Sequence, residues 1–217
     1  MPNTSRNGGR QRRSTGKRPP RCEHYLVITD AKGTEQHYLN GLKKSLPDDQ
    51  QTKLSLKIVQ ENNPAEFIKK CCMIINLESR YVKHTWIVFD YDERPHFDKL
   101  IKDAESAGIS VGWSNPCIEV WFSAYFDDLC PDTSSGCCQD KFKRVFKQKT
   151  KHTYTKGDVD IYQRLIRKGD EVKAIERAKN KYLEHKRNGI NDPSKMCPGT
   201  SIYVLIKEIR DKCQKSE

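Results

Sequence analysis

The chain has 217 residues, 35% of them hydrophobic and 32% charged, and carries a formal net charge of +11. That length suits one α/β domain, or one domain with a helical appendage. Its longest apolar stretches, such as 118–122, fall far short of the roughly 20 residues a membrane span needs, and the first 21 residues lack the apolar middle of a secretory signal, so a cytoplasmic protein is expected.

Met1 to Arg21 holds seven of the positive charges and no acid, which leaves +4 of the +11 for the remainder. Its Gly, Ser, Asn and Pro content predicts a disordered basic arm over 1–21. Such an arm favours polyanions through counterion release, although a solubilising tail has the same composition.

Tyr25-Leu-Val-Ile-Thr-Asp30 is a short β-branched run ending in an acid, expected as a buried strand. Thr34 then offers a cap for a helix to about Leu46, with Tyr38, Leu39 and Leu42 on one face. Leu54, Leu56 and Ile58 alternate with polar residues as a strand does. Asn63 followed by Pro64 starts a second helix whose inward face is Phe67, Ile68, Cys71, Ile74 and Ile75. Thr85 to Asp90 is the most apolar strand; a helix from about His96 to Ala107 stops at Gly108, and a strand follows from Ile109 to Trp113. Alternation of this kind predicts a parallel sheet covered by helices on both faces.

After Asn115-Pro116 the pattern changes. Cys117 to Phe126 reads as an aromatic helix and Asp127 to about Gln139 as a loop. Further helices are expected near Asp140–Gln148, Asp158–Arg167, Asp170–Lys186 and Thr200–Lys212. The organisation is thus a tail (1–21), an α/β core (22–126) and a basic helical C-terminal part packed on it (127–217). None of the nine cysteines forms a CxxC, and Cys130, Cys137 and Cys138 are too irregularly spaced to argue for zinc, so reduced thiols used as small hydrophobes are expected.

Functional groups of a parallel α/β sheet gather beyond the carboxyl ends of its strands. Two strands here end in acids: Asp30, and Asp90 within Phe89-Asp90-Tyr91-Asp92-Glu93. On a strand, Asp90 and Asp92 would project to the same side. If the two strands are neighbours, three carboxylates converge, an arrangement that needs a cation. An all-oxygen set suits Mg²⁺ or Mn²⁺ rather than zinc, and such an ion polarises a phosphoryl oxygen. The plainer reading is a solvated turn rich in acids. An aspartate-nucleophile phosphatase is disfavoured because Arg94 stands where its DxDx(T/V) motif needs Thr or Val.

Three segments together carry a resemblance: 28–38 (Ile-Thr-Asp-Ala-Lys-Gly-Thr-Glu-Gln-His-Tyr), 88–93 (Val-Phe-Asp-Tyr-Asp-Glu) and 114–121 (Ser-Asn-Pro-Cys-Ile-Glu-Val-Trp). In order and spacing they resemble the RloB-like family, which is similar to the abortive-infection protein AbiLii and carries a TOPRIM-type core. Looser agreement at Tyr154-Thr-Lys156, Ile161-Tyr162 and Pro198-Gly-Thr200 extends the resemblance over about 22–210. It implies a TOPRIM-like parallel sheet and metal-dependent phosphodiester cleavage, with Asp30 in acid–base chemistry and Asp90 and Asp92 on Mg²⁺. It also implies an antiphage setting with an ATPase partner. The chain departs from the family at the first acid, where Asp30-Ala31 replaces Glu-Gly. Asp is one methylene shorter, so altered or absent cleavage with metal binding kept is the expected consequence. The alternative is a non-catalytic nucleic-acid-binding or sensor subunit working with that ATPase.

Other residues complete the candidate site. Glu119, an acid among apolar neighbours, is read as a catalytic or buried-pair residue, and Glu35 equally as a site residue or a first-turn acid favoured by the helix dipole. Asn115-Pro116 is expected as a turn, and Trp113, Trp121 and Phe122 as core. Lys151-His-Thr-Tyr154-Thr-Lys156 mixes cations with an aromatic, suited to phosphate contact and base stacking. Lys156, Lys151, Tyr154 and Arg94 are therefore the candidate substrate contacts, with Lys156 preferred, and His152 is a possible general acid. DNA and RNA are not distinguished, because gripping phosphates carries no such information.

Overall fold

A computed structural model describes residues 23–30, 33–48, 54–78, 82–129 and 133–214. The expected basic arm over 1–21 lies outside the described residues, as do Ala31 and Cys130. The apolar runs become strands β1 (Glu23–Thr29), β2 (Leu54–Gln60), β3 (His84–Asp90) and β4 (Ser110–Asn115). Between them lie helices α1 (Thr34–Ser45), α2 (Phe67–Glu78) and α3 (Phe97–Ser106). The first four strands are parallel, and a two-residue strand β5 (Gly199–Thr200) pairs antiparallel with the end of β4, giving the order β2-β1-β3-β4-β5.

Strand alternation sorts the side chains into two cores. Tyr25, Val27, Trp86 and Val88 face one helical layer, while Ile28, Ile87 and Phe89 face the other. The second layer is made by α2 and α3, through Phe67, Cys71, Phe97 and Ile101. The first contains α1 together with α4 (Glu119–Ser123), α5 (Ser135–Thr150), α6 (Ile161–Lys168), α7 (Glu171–Arg187) and α8 (Ile202–Gln214). The chain is therefore an α/β protein with a mostly parallel sheet between helices and a helical C-terminal region. No helix among the described residues is long and apolar enough to cross a membrane.

Several element ends differ from the sequence reading. Gly33, at φ 125°, precedes α1, and Thr34 is its first helical residue. Asn63 does cap, accepting from the Ala65 amide at 3.1 Å, but onto a 3₁₀ turn ahead of α2. Cys137 and Cys138 lie in α5, whose first turn is capped by Ser134, and not in a loop. The aromatic helix after Pro116 is a short one followed by turns, because the chain must bend at Tyr125 to meet α7.

Candidate functional site

The strand order fixes where a site can form. From β1 the chain moves to β2 on one side; from β3 it moves to β4 on the other. The loops after β1 and β3 thus part at a topological switch point, the place where open sheets of this kind form their binding crevice. Asp30 immediately follows β1 and Asp90 is the last residue of β3. The two acids expected as neighbours stand on either side of that crevice.

Glu35 and Glu119 join them. Glu35, in the first turn of α1, is 4% exposed, and Glu119, the first residue of α4, is 1% exposed. Asp30, Glu35, Glu119 and Asp92 all act electrostatically on Asp90. Burial, then these like charges, push Asp90 well above the ordinary carboxylate range. Burial and the charge of Asp30 raise Glu35 to about 7, partly offset by Lys156. Burial raises Asp30 to about 6, against the lowering effect of Arg94. Each shift follows from removing a carboxylate from water beside like charges.

The cluster is only partly satisfied. Asp30 accepts from Arg94 Nη2 at 2.7 Å. Glu119 Oε1 accepts from the Tyr154 hydroxyl at 2.9 Å. Asp92 accepts from the Ser135 hydroxyl. Asp90 Oδ1 and Glu35 Oε2, both buried, have no hydrogen-bond partner. Leaving such groups bare costs several kcal/mol unless a proton or a cation supplies the partner.

The structure corrects three expectations. Strand β3 ends at Asp90, and Asp92 sits in the following turn at φ 37° with its amide bonded to Pro116 O at 3.0 Å. Strand alternation therefore does not set its direction, and its side chain lies exposed against Ser135. Nor is there a preformed metal trio of Asp30, Asp90 and Asp92: among the described residues no group of three or more His, Cys, Asp or Glu is set to hold an ion. Tyr154 is 2% exposed and packs edge-on against Phe142 and Phe146. A ring buried there has no open face for a base, so Tyr154 orients Glu119 instead.

The remaining candidates divide between two places. Arg94 is in the acid crevice, held over the Phe89 ring at 5.7 Å. Lys156 is exposed and acts electrostatically on Glu35. Its loop is docked there by glycines: the Gly157 amide donates to Thr34 Oγ1 at 3.2 Å, and a Cβ on Gly33 would stand 3.1 Å from Gly157 Cα. Lys151 and His152 line a separate cleft with Arg164 and Arg167. Asn115, 1% exposed, donates to the carbonyls of Pro193 and Ser194, each at 2.9 Å, fixing the turn that leads to Glu119.

Sequence reasoning gave Glu35 no firm place in the site. Its signal was position: an acid five residues past a strand-end acid returns to the same crevice when the intervening turn is tight. The described cysteines are free thiols. A hydrogen bond with Cys138 and burial push Cys117 far up, and burial raises Cys197 to about 11, so both stay protonated.

No curated protein and no solved structure matches the chain. A model of the RloB-like proteins matches residues 25–209. That span starts in β1, takes in every acid of the crevice and ends in α8: the chain belongs to the RloB-like family.

Proposed function

We propose that this protein is a metal-dependent nuclease that cleaves nucleic-acid phosphodiesters at the crevice between β1 and β3, with a TOPRIM-type division of labour. The observation that carries this reading is the pair of buried, unpartnered carboxylate oxygens, Asp90 Oδ1 and Glu35 Oε2. Hard carboxylate oxygens without histidine or thiolate fit Mg²⁺ or Mn²⁺, so Asp90 and Glu35 would hold the ion, with Asp92 added once it leaves Ser135. A bound divalent ion supplies Lewis-acid polarisation of a phosphoryl oxygen.

The chain's own groups account for the rest. Asp30, raised to about 6, exchanges a proton close to neutral pH. Arg94 orients that carboxylate at 2.7 Å and offers its remaining guanidinium donors to a phosphate. Tyr154 holds Glu119 in place, and Lys156 supplies a positive charge at the crevice mouth. Family membership supports an antiphage setting and an ATPase partner as part of the same reading.

The test is cleavage of labelled tRNA, single-stranded DNA and duplex DNA with Mg²⁺, Mn²⁺ or EDTA. Metal-dependent cleavage that falls at least about 100-fold in Asp90→Ala and Asp92→Ala is expected; undiminished cleavage by both variants overturns the mechanism. One observation favours a second reading, a nucleic-acid-binding subunit without catalysis: the shorter acid Asp30 is already engaged by Arg94. Asp30→Glu separates the two. A gain in cleavage marks a weakened enzyme, and binding without cleavage in either form marks the binder.

A further inference from the structure

Away from the acid crevice, three clefts lie along α6 and α7. The first, about 440 Å³, is lined by Lys151, His152, Arg164, Arg167 and Lys168 among others. Lys168 also lines the second, with Lys149, Lys173 and Arg177. Arg177 in turn lines the third, with Lys181 and Arg187. Lys168 and Arg177 are each common to two of the clefts, so the three lie in series along these helices and are taken together as one basic groove.

Its charge is one-sided. Nine lysines and arginines line it against four carboxylates, Asp128, Asp160, Asp170 and Glu184. Each acid is already matched to a groove cation: Asp160 to Arg164 at 3.5 Å, Asp170 to Lys173 at 3.8 Å, Asp128 to Arg177 at 4.0 Å and Glu184 to Lys181 at 2.8 Å. Among the described residues, Lys149, Lys151, Arg167, Lys168 and Arg187 have no carboxylate within ion-pair distance, and all five are exposed. On α7, residues 173, 177, 181 and 187 recur on one helical face and span roughly 20 Å at 1.5 Å per residue.

The groove is also tied to the crevice. The loop from Lys151 to Lys156 lines the first cleft at one end and touches the acid cluster at the other, through Tyr154 on Glu119 and the charge of Lys156 on Glu35. Helix α4 starts at Glu119, and Tyr125 and Phe126, just past its end, line the second cleft.

We propose that this groove is the track for the phosphate backbone flanking the scissile site, and that it grips phosphates without reading bases. This rests on the reading of the crevice as a nucleic-acid phosphate site. Of the phenyl and phenol rings in its walls, Tyr125 is 1% exposed and Phe126 is half-buried, and the exposed ring is the imidazole of His152 at one end, so the groove offers charge along its length and at most one stacking contact, the combination that positions a strand without specifying it.

The test is binding, not cleavage: fluorescence anisotropy of a labelled 20-mer RNA duplex and single strand with the full chain in EDTA, across a salt series. Combined Arg167→Glu, Lys168→Glu and Arg187→Glu should weaken binding more than about tenfold and flatten the slope of log K against log salt by about 2–3, since each lost phosphate contact removes about 0.7–0.9. Lys69→Glu, Lys99→Glu and Lys207→Glu, on other helices, make the same charge change and should cost much less. Equal losses in the two triple variants, or unchanged binding in the first, overturn the proposal. So does tighter binding of polyglutamate than of RNA, which would assign the groove to an acidic protein. Because no metal is present, a failed nuclease assay leaves this result standing, and a failed track leaves the crevice reading standing.

Discussion

Glu35 shows how one side chain changes meaning between sequence and structure. In the sequence it is an acid in a first helical turn, where the dipole alone explains it. In the fold it is buried beside Asp30, Asp90 and Glu119 with one oxygen unpartnered. Its raised value has a sign that can be tested. The folded state keeps the Glu35 proton up to about 7, whereas the unfolded chain releases it near 4.5. Between those values the native state binds more protons, so the Glu35 contribution is fully present below about pH 4.5 and is lost as pH rises to about 7. Glu35→Gln mimics the protonated form. It should match the parent near pH 4 and exceed it by on the order of 3 kcal/mol above pH 7 in urea unfolding with EDTA. Saturating Mg²⁺ should narrow the gap at high pH by stabilising the parent alone. A variant less stable than the parent at pH 8 in EDTA contradicts the account. Asp90 was legible from the end of its strand, but the direction of Asp92 was not: that depended on where β3 stopped and on a turn with positive φ at Asp92 and Glu93.

At the scale of elements, the strands and long helices were legible because burial imposes their periodicity. Leu54, Leu56 and Ile58 alternate, and Tyr38, Leu39 and Leu42 recur on one helical face, as the two core layers require. Strand β5 was not legible: two residues, Gly199 and Thr200, have no period. They are fixed by Thr200 and Ser201, whose hydroxyls donate to Trp113 O and Val111 O on the edge of β4 at 2.9 and 3.0 Å. The start of α5 was obscured by a run of Ser and Cys that reads as loop, although Ser134 caps it. Helix packing also hides in a single glycine. Gly41 lies inside α1, where Ala would ordinarily gain about 1 kcal/mol, but a Cβ there would stand 2.4 Å from Tyr162 Cβ on α6. Overpacking of that kind costs about 1–3 kcal/mol, so Gly41→Ala should lower stability despite its better propensity. A raised urea midpoint would show that α1 and α6 are free to separate.

Across the whole molecule, the C-terminal helices are held to α1 and to one another by a polar network inside the first core layer. Glu171, at the start of α7, accepts from the hydroxyls of Tyr125 and Tyr162 at 3.1 and 3.0 Å and from Arg210 Nε on α8 at 2.7 Å. The Tyr38 hydroxyl on α1 is 2.7 Å from that of Tyr125, and Ser45 on α1 donates to Tyr162 at 3.2 Å. One carboxylate thus links α1, the end of α4, α6, α7 and α8. The sequence could not reveal this, since its members span positions 38 to 210 and none forms a motif. Burial lowers Arg210, but the hydrogen bond and charge of Glu171 outweigh it and raise the guanidinium further above its already high value. The Glu171 and Arg210 side chains are 15% and 28% exposed, so the network is partly screened and removal of one partner should cost about 2–4 kcal/mol, below a fully buried pair. The sharper expectation is non-additivity. Glu171→Gln and Arg210→Met should each destabilise, while the double variant should cost at least 1 kcal/mol less than their sum, because neither charge is then left without its partner. Strict additivity in urea unfolding would mean that the tyrosines, not the ion pair, carry the connection. Since Tyr125 also walls the basic groove and follows the helix that begins at Glu119, on the proposed reading of that groove as a phosphate track each single variant should weaken RNA binding as it loosens that helix, and the double variant should restore part of it.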